Sequence, residues 1–276
     1  MDLGLAGANV CIVGASRGIG KATAKRFAQE GANVALLARS EKSLEKSATA
    51  CRELGSGEVL TSQCDMTDGD AVKAAFATIG EKFGSLNVLI NNAANSVGTH
   101  GAFAKFDDEE LYLEAYNRIT LGYVRTTRAA LPLLRKADWG RIVNVSSIST
   151  TKPQPMLHVY NMVKSALNSW SQAMARELGE DNILVNVMSP GAIMVESGNW
   201  GEIMNGYFEK YGLDPKSPQD AFKLSKLHFG AEDSVWTNRY GYTDEYARVL
   251  TFMGSKANSY MSGANINVDG GTNFHW

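Results

Sequence analysis

Asn9-Val10-Cys11-Ile12-Val13 runs directly into Gly14-Ala15-Ser16-Arg17-Gly18-Ile19-Gly20, and the stretch from Lys21 to Glu30 that follows is helical in pattern. Consecutive apolar residues that end on a glycine predict a strand covered on both faces. Glycines allow a tight turn and bring backbone amides close to a pyrophosphate, which also sits at the positive end of the following helix. The spacing differs from G-x-G-x-x-G, yet strand before and helix after are the context in which such a loop binds a dinucleotide. Gly14, Ser16, Arg17, Gly18, Ile19 and Gly20 are therefore read as cofactor-binding residues. The bland alternative is a glycine turn without chemistry.

The same alternation continues outward from that loop. Short β-rich runs at Asn9 to Val13, Asn33 to Leu37, Glu58 to Ser62, Leu86 to Asn91, Arg141 to Ser146 and Ile183 to Met188 are separated by helical stretches. Runs apolar on nearly every residue, alternating with helices, predict an α/β fold: a doubly wound, Rossmann-like parallel sheet. Right-handed crossovers then leave a ligand crevice at the carboxyl ends of the strands. The rhythm breaks from Glu196 to Tyr240, where Gly198, Gly201, Gly206, Gly212, Asp214-Pro215 and Ser217-Pro218 interrupt aromatic-rich pieces. Residues 1–276 are read as one dinucleotide-binding and catalytic domain, with 196–240 as a helical, substrate-binding lid region near the C-terminal third.

The tip of the second strand bears on cofactor choice. A carboxylate about 20 residues past the glycine loop binds the ribose hydroxyls of NAD, whereas an arginine there accommodates the 2'-phosphate of NADP. Here the strand ends in Leu37-Ala38-Arg39, and Arg17 adds a second cation. Each charge-assisted bond to that phosphate contributes roughly 1.5–3 kcal/mol, enough to favour NADP(H) at least tenfold. The alternative is a solvated Arg39 paired with Glu41.

Further along, Tyr160-Asn161-Met162-Val163-Lys164 places a phenol and an ammonium one helical turn apart on one face. The expectation is that the ammonium lowers the phenol pKa from about 10 and makes Tyr160 a proton donor and acceptor. Such a spacing arises by chance about half the time, so its weight comes from its surroundings.

Bulk properties narrow the function class. The chain has 276 residues, a net charge of -2, 44% hydrophobic and 20% charged residues. These values fit a folded enzyme and give no reason to expect nucleic acid or an anionic membrane as partner. Cys11, Cys51 and Cys64 lack metal or redox spacing and read as reduced packing residues. His100, His158, His228 and His275 are scattered, so no metal site is expected. Neither a basic, apolar leader nor an apolar run of about 18 residues is visible, and the expected location is cytoplasmic.

Taken in order, these residues resemble the short-chain dehydrogenase/reductase family over nearly the whole chain. The glycine loop is similar to its T-G-x-x-x-G-x-G motif, with Val13 in place of Thr. Asp65, followed by Met66, matches the acid that contacts the adenine. Asn91-Asn92-Ala93-Ala94 resembles N-N-A-G, with Ala94 adding a methyl at the strand end where Gly leaves room. Asn117 falls on the helical Asn of the active-site tetrad, while Ser147, Tyr160 and Lys164 match its Ser and Y-x-x-x-K. Pro190-Gly191 matches the turn beside the nicotinamide, and Asn267 to Gly271 the closing segment. Val195 stands where a Thr often bonds the carboxamide.

The resemblance implies hydride transfer between NADP(H) and a ketone or secondary alcohol. Tyr160 would exchange the proton and Ser147 would bond the same oxygen. Lys164 would tune Tyr160 and hold the nicotinamide ribose, and Asn117 would fix a relay water. Ser146 is the near rival to Ser147. Trp200, Tyr207, Phe208, Tyr211, Phe222, Phe229 and Trp236 either wall a fairly apolar pocket or pack the lid. The aromatic end Phe274-His275-Trp276 hints at a subunit contact, and the family implies a homotetramer or homodimer. Alternatives are an NAD-linked alcohol dehydrogenase, a 3-oxoacyl thioester reductase, or a nucleotide-sensing module without turnover.

Overall fold

The computed structural model describes the chain except residues 56, 95–102, 104–108, 154, 195, 199–201, 230–234 and 273–276, and the side chains of 155, 203, 228 and 229. Expectations placed on Val195, Trp200, His100 and Phe274-His275-Trp276, and on the side chains of His228 and Phe229, lie outside the described residues.

Seven parallel strands form the sheet: β1 (Asn9–Val13), β2 (Asn33–Ala38), β3 (Val59–Gln63), β4 (Val88–Asn91), β5 (Gly140–Val145), β6 (Ile183–Pro190) and β7 (Asn265–Val268). Their order is β3-β2-β1-β4-β5-β6-β7. Val13 pairs with Leu37 on one side and Asn91 on the other, so the order reverses between β1 and β4 and the ligand crevice opens beyond those residues.

Side chains alternate across the sheet, and both faces are buried. Val10, Ile12, Val34, Leu36, Val88 and Ile90 join one core with Phe27 of α1 (Gly18–Gln29) and Leu44 of α2 (Glu41–Arg52). The same core takes Leu250 of the late helix α9 (Thr243–Met253). Cys11, Val13, Ala35, Leu37 and Leu89 face the other way. There they meet Phe76 and Ile79 of α3 (Gly69–Phe83), Tyr123 and Leu134 of α5 (Gly122–Leu134), and Leu167 of α6 (His158–Glu177). Two covered faces explain why these strands read as unbroken apolar runs. The three cysteines are free and buried.

β2, β3 and β5 differ from the sequence reading by a single residue at one or both ends, and larger differences fall at β4, β6 and β7. β4 starts two residues later than Leu86, whose N–H is taken by the Leu133 carbonyl at the end of α5. β6 continues through Pro190, and β7 adds a half-buried edge strand of four residues. Between Glu196 and Tyr240 lie α7 (Glu202–Lys210) and α8 (Pro218–Phe229). Phe208, Ala221 and Leu224 form a small core with Met194, and Phe222 is also buried, so Phe208 and Phe222 pack this region while Trp236 is exposed. Among the described residues no helix is long and apolar enough to cross a membrane.

Candidate active site

Close packing shapes the glycine loop. Gly14 has φ +87° and donates to the Leu37 carbonyl at 2.7 Å; a Cβ there would lie 2.7 Å from the Ala93 backbone. At Gly20 a Cβ would come within 2.1 Å of the Gly14 carbonyl. Asn92 fixes the loop from β4, its N–H donating to Val13 at 3.1 Å and its side-chain amide to Gly14 at 3.1 Å. Val13 is buried in the core, so its apolar branch is satisfied there. Ala94 is exposed and its backbone is not left-handed.

The first turn of α1 carries no acid, and its N-cap Arg17 makes no side-chain capping bond. Unpaired amides and the helix dipole therefore offer an anion site beside Ser16, Arg17 and Gly18, at the mouth of a cavity of about 1050 Å³. Arg17 and Arg39 are exposed, and among the described residues neither has an ion-pair partner; the alternative pairing of Arg39 with Glu41 does not form. Asp65 Oδ1 receives the Thr67 amide and hydroxyl at 2.9 and 2.8 Å, which turns the backbone after β3. The loop, the helix end and the two free arginines fit a phosphorylated dinucleotide.

On the other side of the switch point, β5 delivers Ser146 and Ser147. Ser146 is 2% exposed and its hydroxyl faces the interior, whereas Ser147 is half-buried; its Oγ accepts from the Ser149 amide at 3.1 Å. That bond caps a 3-10 turn (Ile148–Thr150), which Asn168 of α6 ties down through Thr150 Oγ1 at 3.0 Å. Burial thus separates the two serines that sequence left as rivals.

Lys164 is fully buried, and its Nζ donates to the Val145 carbonyl at 2.7 Å. The same oxygen accepts from Tyr123 Oη at 3.2 Å. Nζ lies 5.1 Å from the Tyr123 ring centre and 5.7 Å from that of Tyr160. One face does carry Tyr160 and Lys164, but the expected lowering of the phenol pKa is absent in this state. Burial pushes Tyr160 up to about 12 and Lys164 down to about 7. Desolvation penalises phenolate and ammonium alike and outweighs their attraction at this separation.

Asn117 is engaged by Arg125. It begins a π-helical turn (Asn117–Leu121) between α4 (Glu109–Tyr116) and α5. Its Oδ1 accepts from Arg125 at 2.6 Å and its carbonyl from Arg125 at 3.2 Å. The residues of that turn that meet α6 are Ile119, packed with Val159 and Val163, and Thr120, which donates to the Val163 carbonyl at 2.8 Å. Sequence reasoning missed Tyr123, Thr120 and Arg125. A π turn has no sequence signature of its own, and it rotates every later side chain relative to an α-helical count.

The sequence profile of the short chain dehydrogenase family matches residues 8–202. The chain belongs to the short-chain dehydrogenase/reductase family. It is 32% identical to an uncharacterized oxidoreductase, YvrD, from Bacillus subtilis over 98% of each chain. It is 31% identical to 3-oxoacyl-[acyl-carrier-protein] reductase FabG from Thermotoga maritima over 95% of this chain and 96% of that one. The structure of L-sorbose reductase from Gluconobacter frateurii, complexed with NADPH and L-sorbose, superimposes with a TM-score of 0.87 at 29% identity, covering 100% of both chains.

In this short-chain dehydrogenase/reductase the remaining matched segments close the crevice. Gly191 donates to the Val268 carbonyl at 2.9 Å, and a Cβ on it would lie 2.7 Å from Asp269, so Pro190-Gly191 is pressed against the closing segment. His158 Nδ1 lies 3.3 Å from the Tyr112 hydroxyl, and Tyr112 and Tyr160 flank the same small cluster of Ala115, Ile119, Val159 and Val163. Among the described residues no group of His, Cys, Asp or Glu could hold a metal.

Proposed function

We propose that the protein is an NADP(H)-dependent oxidoreductase that interconverts a ketone and a secondary alcohol, working in the reducing direction. The observation that carries this reading is Tyr160 beside the Lys164 and Val145 contact at the end of β5, in the same sheet whose β1 leads into an anion-ready glycine loop with two arginines that lack ion-pair partners among the described residues. Gly14 to Gly20 would hold the pyrophosphate, Arg17 and Arg39 the 2'-phosphate, Asp65 and Met66 the adenine, and Asn92, Ala93, Pro190 and Gly191 the inner half. The bound cofactor supplies the hydride.

The chain's own residues manage the proton. A phenol with its pKa at about 12 stays protonated at neutral pH, so Tyr160 holds a proton ready for the developing alkoxide. Ser147 donates to the same oxygen and stabilises its charge. Lys164, tied to Val145 and 5.7 Å from the centre of the Tyr160 ring, would hold the nicotinamide ribose.

A fairly apolar ketone is the first substrate reading, from the aromatic composition of 196–240, although Phe208 and Phe222 are taken up in packing that region itself. A hydroxylated ketone is the second, favoured by the His158 and Tyr112 pair beside the Tyr160 cluster and by the full-length likeness to a sorbose reductase. Incubating the protein with NADPH and a panel of ketoses, steroids, quinones and acyl thioesters should show absorbance loss with one class. Tyr160→Phe should abolish it and leave NADPH binding intact. NADPH binding without turnover of any class would point instead to a nucleotide-sensing module.

A further inference from the structure

Arg125 spends a guanidinium on neutral oxygens. It donates to Asn117 Oδ1 at 2.6 Å, to the Asn117 carbonyl at 3.2 Å and to the Met66 carbonyl at 3.4 Å. These acceptors belong to two separate pieces of the crevice, the turn after β3 and the π turn before α5. A planar guanidinium meets both pieces with two nitrogens in one fixed geometry, Nη1 on the two carbonyls and Nη2 on Asn117 Oδ1, which the single rotatable ammonium of a lysine does not reproduce. Met66 is held a second time by its side chain, which packs on Gly122, where a Cβ would lie 2.8 Å from Met66 Cγ. On its other side the π turn is fastened to α6: Thr120 donates to the carbonyl of Val163, the residue before Lys164, and Ile119 packs against Val159 and Val163 beside Tyr160.

We propose that Arg125 is a positioning residue that makes the turn after β3 and the catalytic face of α6 one mechanical unit, so that seating the adenine end of the cofactor aligns Tyr160 and Lys164. This rests on the proposed oxidoreductase reading, in which Asp65 and Met66 take the adenine. The path runs from Met66 through Arg125 to Asn117, across the π turn to Thr120, and on to Val163. Asn117 thereby has a role in this chain other than holding a relay water: it is the handle that Arg125 grips.

The test compares the full-length wild type with Arg125→Met, Arg125→Lys and Arg125→Ala, measuring NADPH affinity, kcat, KM and melting temperature. Misplacing reacting groups by about 1 Å costs up to about a hundredfold in rate, so Arg125→Met should lower kcat by roughly tenfold or more and weaken NADPH binding several-fold. Arg125→Lys should recover little. Methylguanidinium added to Arg125→Ala should restore part of kcat, and should do nothing for Tyr160→Phe. A lower melting temperature with unchanged kcat and NADPH affinity would overturn the proposal, and so would full activity in Arg125→Lys. A wild type that binds NADPH without turnover would sink the oxidoreductase reading alone; NADPH affinity in Arg125→Met would then still decide whether the adenine side depends on this arginine.

Discussion

Lys164 Nζ and the carbonyl oxygen of Val145 lie 2.7 Å apart, inside a region from which solvent is excluded. The contact holds α6 to the end of β5, two residues before Ser147. It also confines an ammonium where its charge is costly, and burial lowers the Lys164 pKa from 10.5 to about 7. Between those values the unfolded chain carries a proton that the folded chain has released, so stability rises with pH through that window. Lys164→Met removes the titrating group. Melting curves of the ligand-free proteins should show the wild type gaining on the variant from about neutral pH upward. The lost hydrogen bond to Val145 adds a cost of about 1–3 kcal/mol that does not vary with pH. Parallel stability curves for the two proteins would mean that Lys164 does not titrate in this range.

Tyr160 leads to a directional prediction. With its pKa raised to about 12 by burial, the phenol is protonated across the physiological range. Reduction needs the protonated form and oxidation the phenolate, so single-turnover reduction should be flat from about pH 6 to about pH 9, whereas alcohol oxidation should accelerate as pH rises. An alkaline fall in the reduction rate within that range would show that the bound state lowers the phenol pKa, as the i, i+4 spacing alone predicts.

Arg39 stands exposed at the carboxyl end of β2, without an ion-pair partner among the described residues, while its carbonyl is fixed by Gln63 Nε2 at 2.9 Å. Its backbone is thus anchored and its guanidinium is free to take a phosphate. Arg39→Asp replaces attraction by repulsion toward a 2'-phosphate and offers a carboxylate to ribose hydroxyls. The ratio of kcat/KM for NADPH over NADH should fall by at least about tenfold, one charge-assisted bond being worth roughly 1.5–3 kcal/mol. A wild type that already prefers NADH would reject the assignment of Arg39.

Much of this architecture was legible because both sheet faces are covered. Val10 to Val13, Asn33 to Ala38 and Gly140 to Val145 bury nearly every side chain, and such runs cannot be confused with half-solvated strands. β7 escaped notice for the opposite reason: Asn265-Ile266-Asn267-Val268 is four residues at a sheet edge, recognisable only through its pairing with β6. The glycine loop was legible since two of its glycines, Gly14 and Gly20, sit where no Cβ fits. Asn117 shows the limit. Its identity and approximate place matched a motif, but a π turn set its direction, and the partner that holds it lies eight residues on at Arg125. The Tyr160 and Lys164 pair shows another: spacing placed them on one face, yet the competition between attraction and desolvation depends on burial, which spacing does not encode.

The proposed lid role of residues 196–240 has a test at the base of that region. The two ends of residues 196–240 are stitched together beyond the end of β6, where Ile193 and Gly241 form an isolated bridge: Met194 donates to the Gly241 carbonyl at 2.8 Å and Gly241 to the Ala192 carbonyl at 3.0 Å. Tyr246 of α9 reaches the same Ala192 oxygen at 2.9 Å, and it packs so closely that a Cβ on Gly241 would lie 2.5 Å from its hydroxyl. The phenol thus braces both ends of this region against α9. Tyr246→Phe keeps the ring and removes one hydrogen bond worth about 1 kcal/mol. The loss falls on the joint rather than on the crevice, so KM for the ketone should rise several-fold while NADPH affinity stays within about twofold of wild type. Weakened NADPH binding with an unchanged ketone KM would show that this joint serves the cofactor half of the crevice, and that 196–240 does not act as the substrate lid.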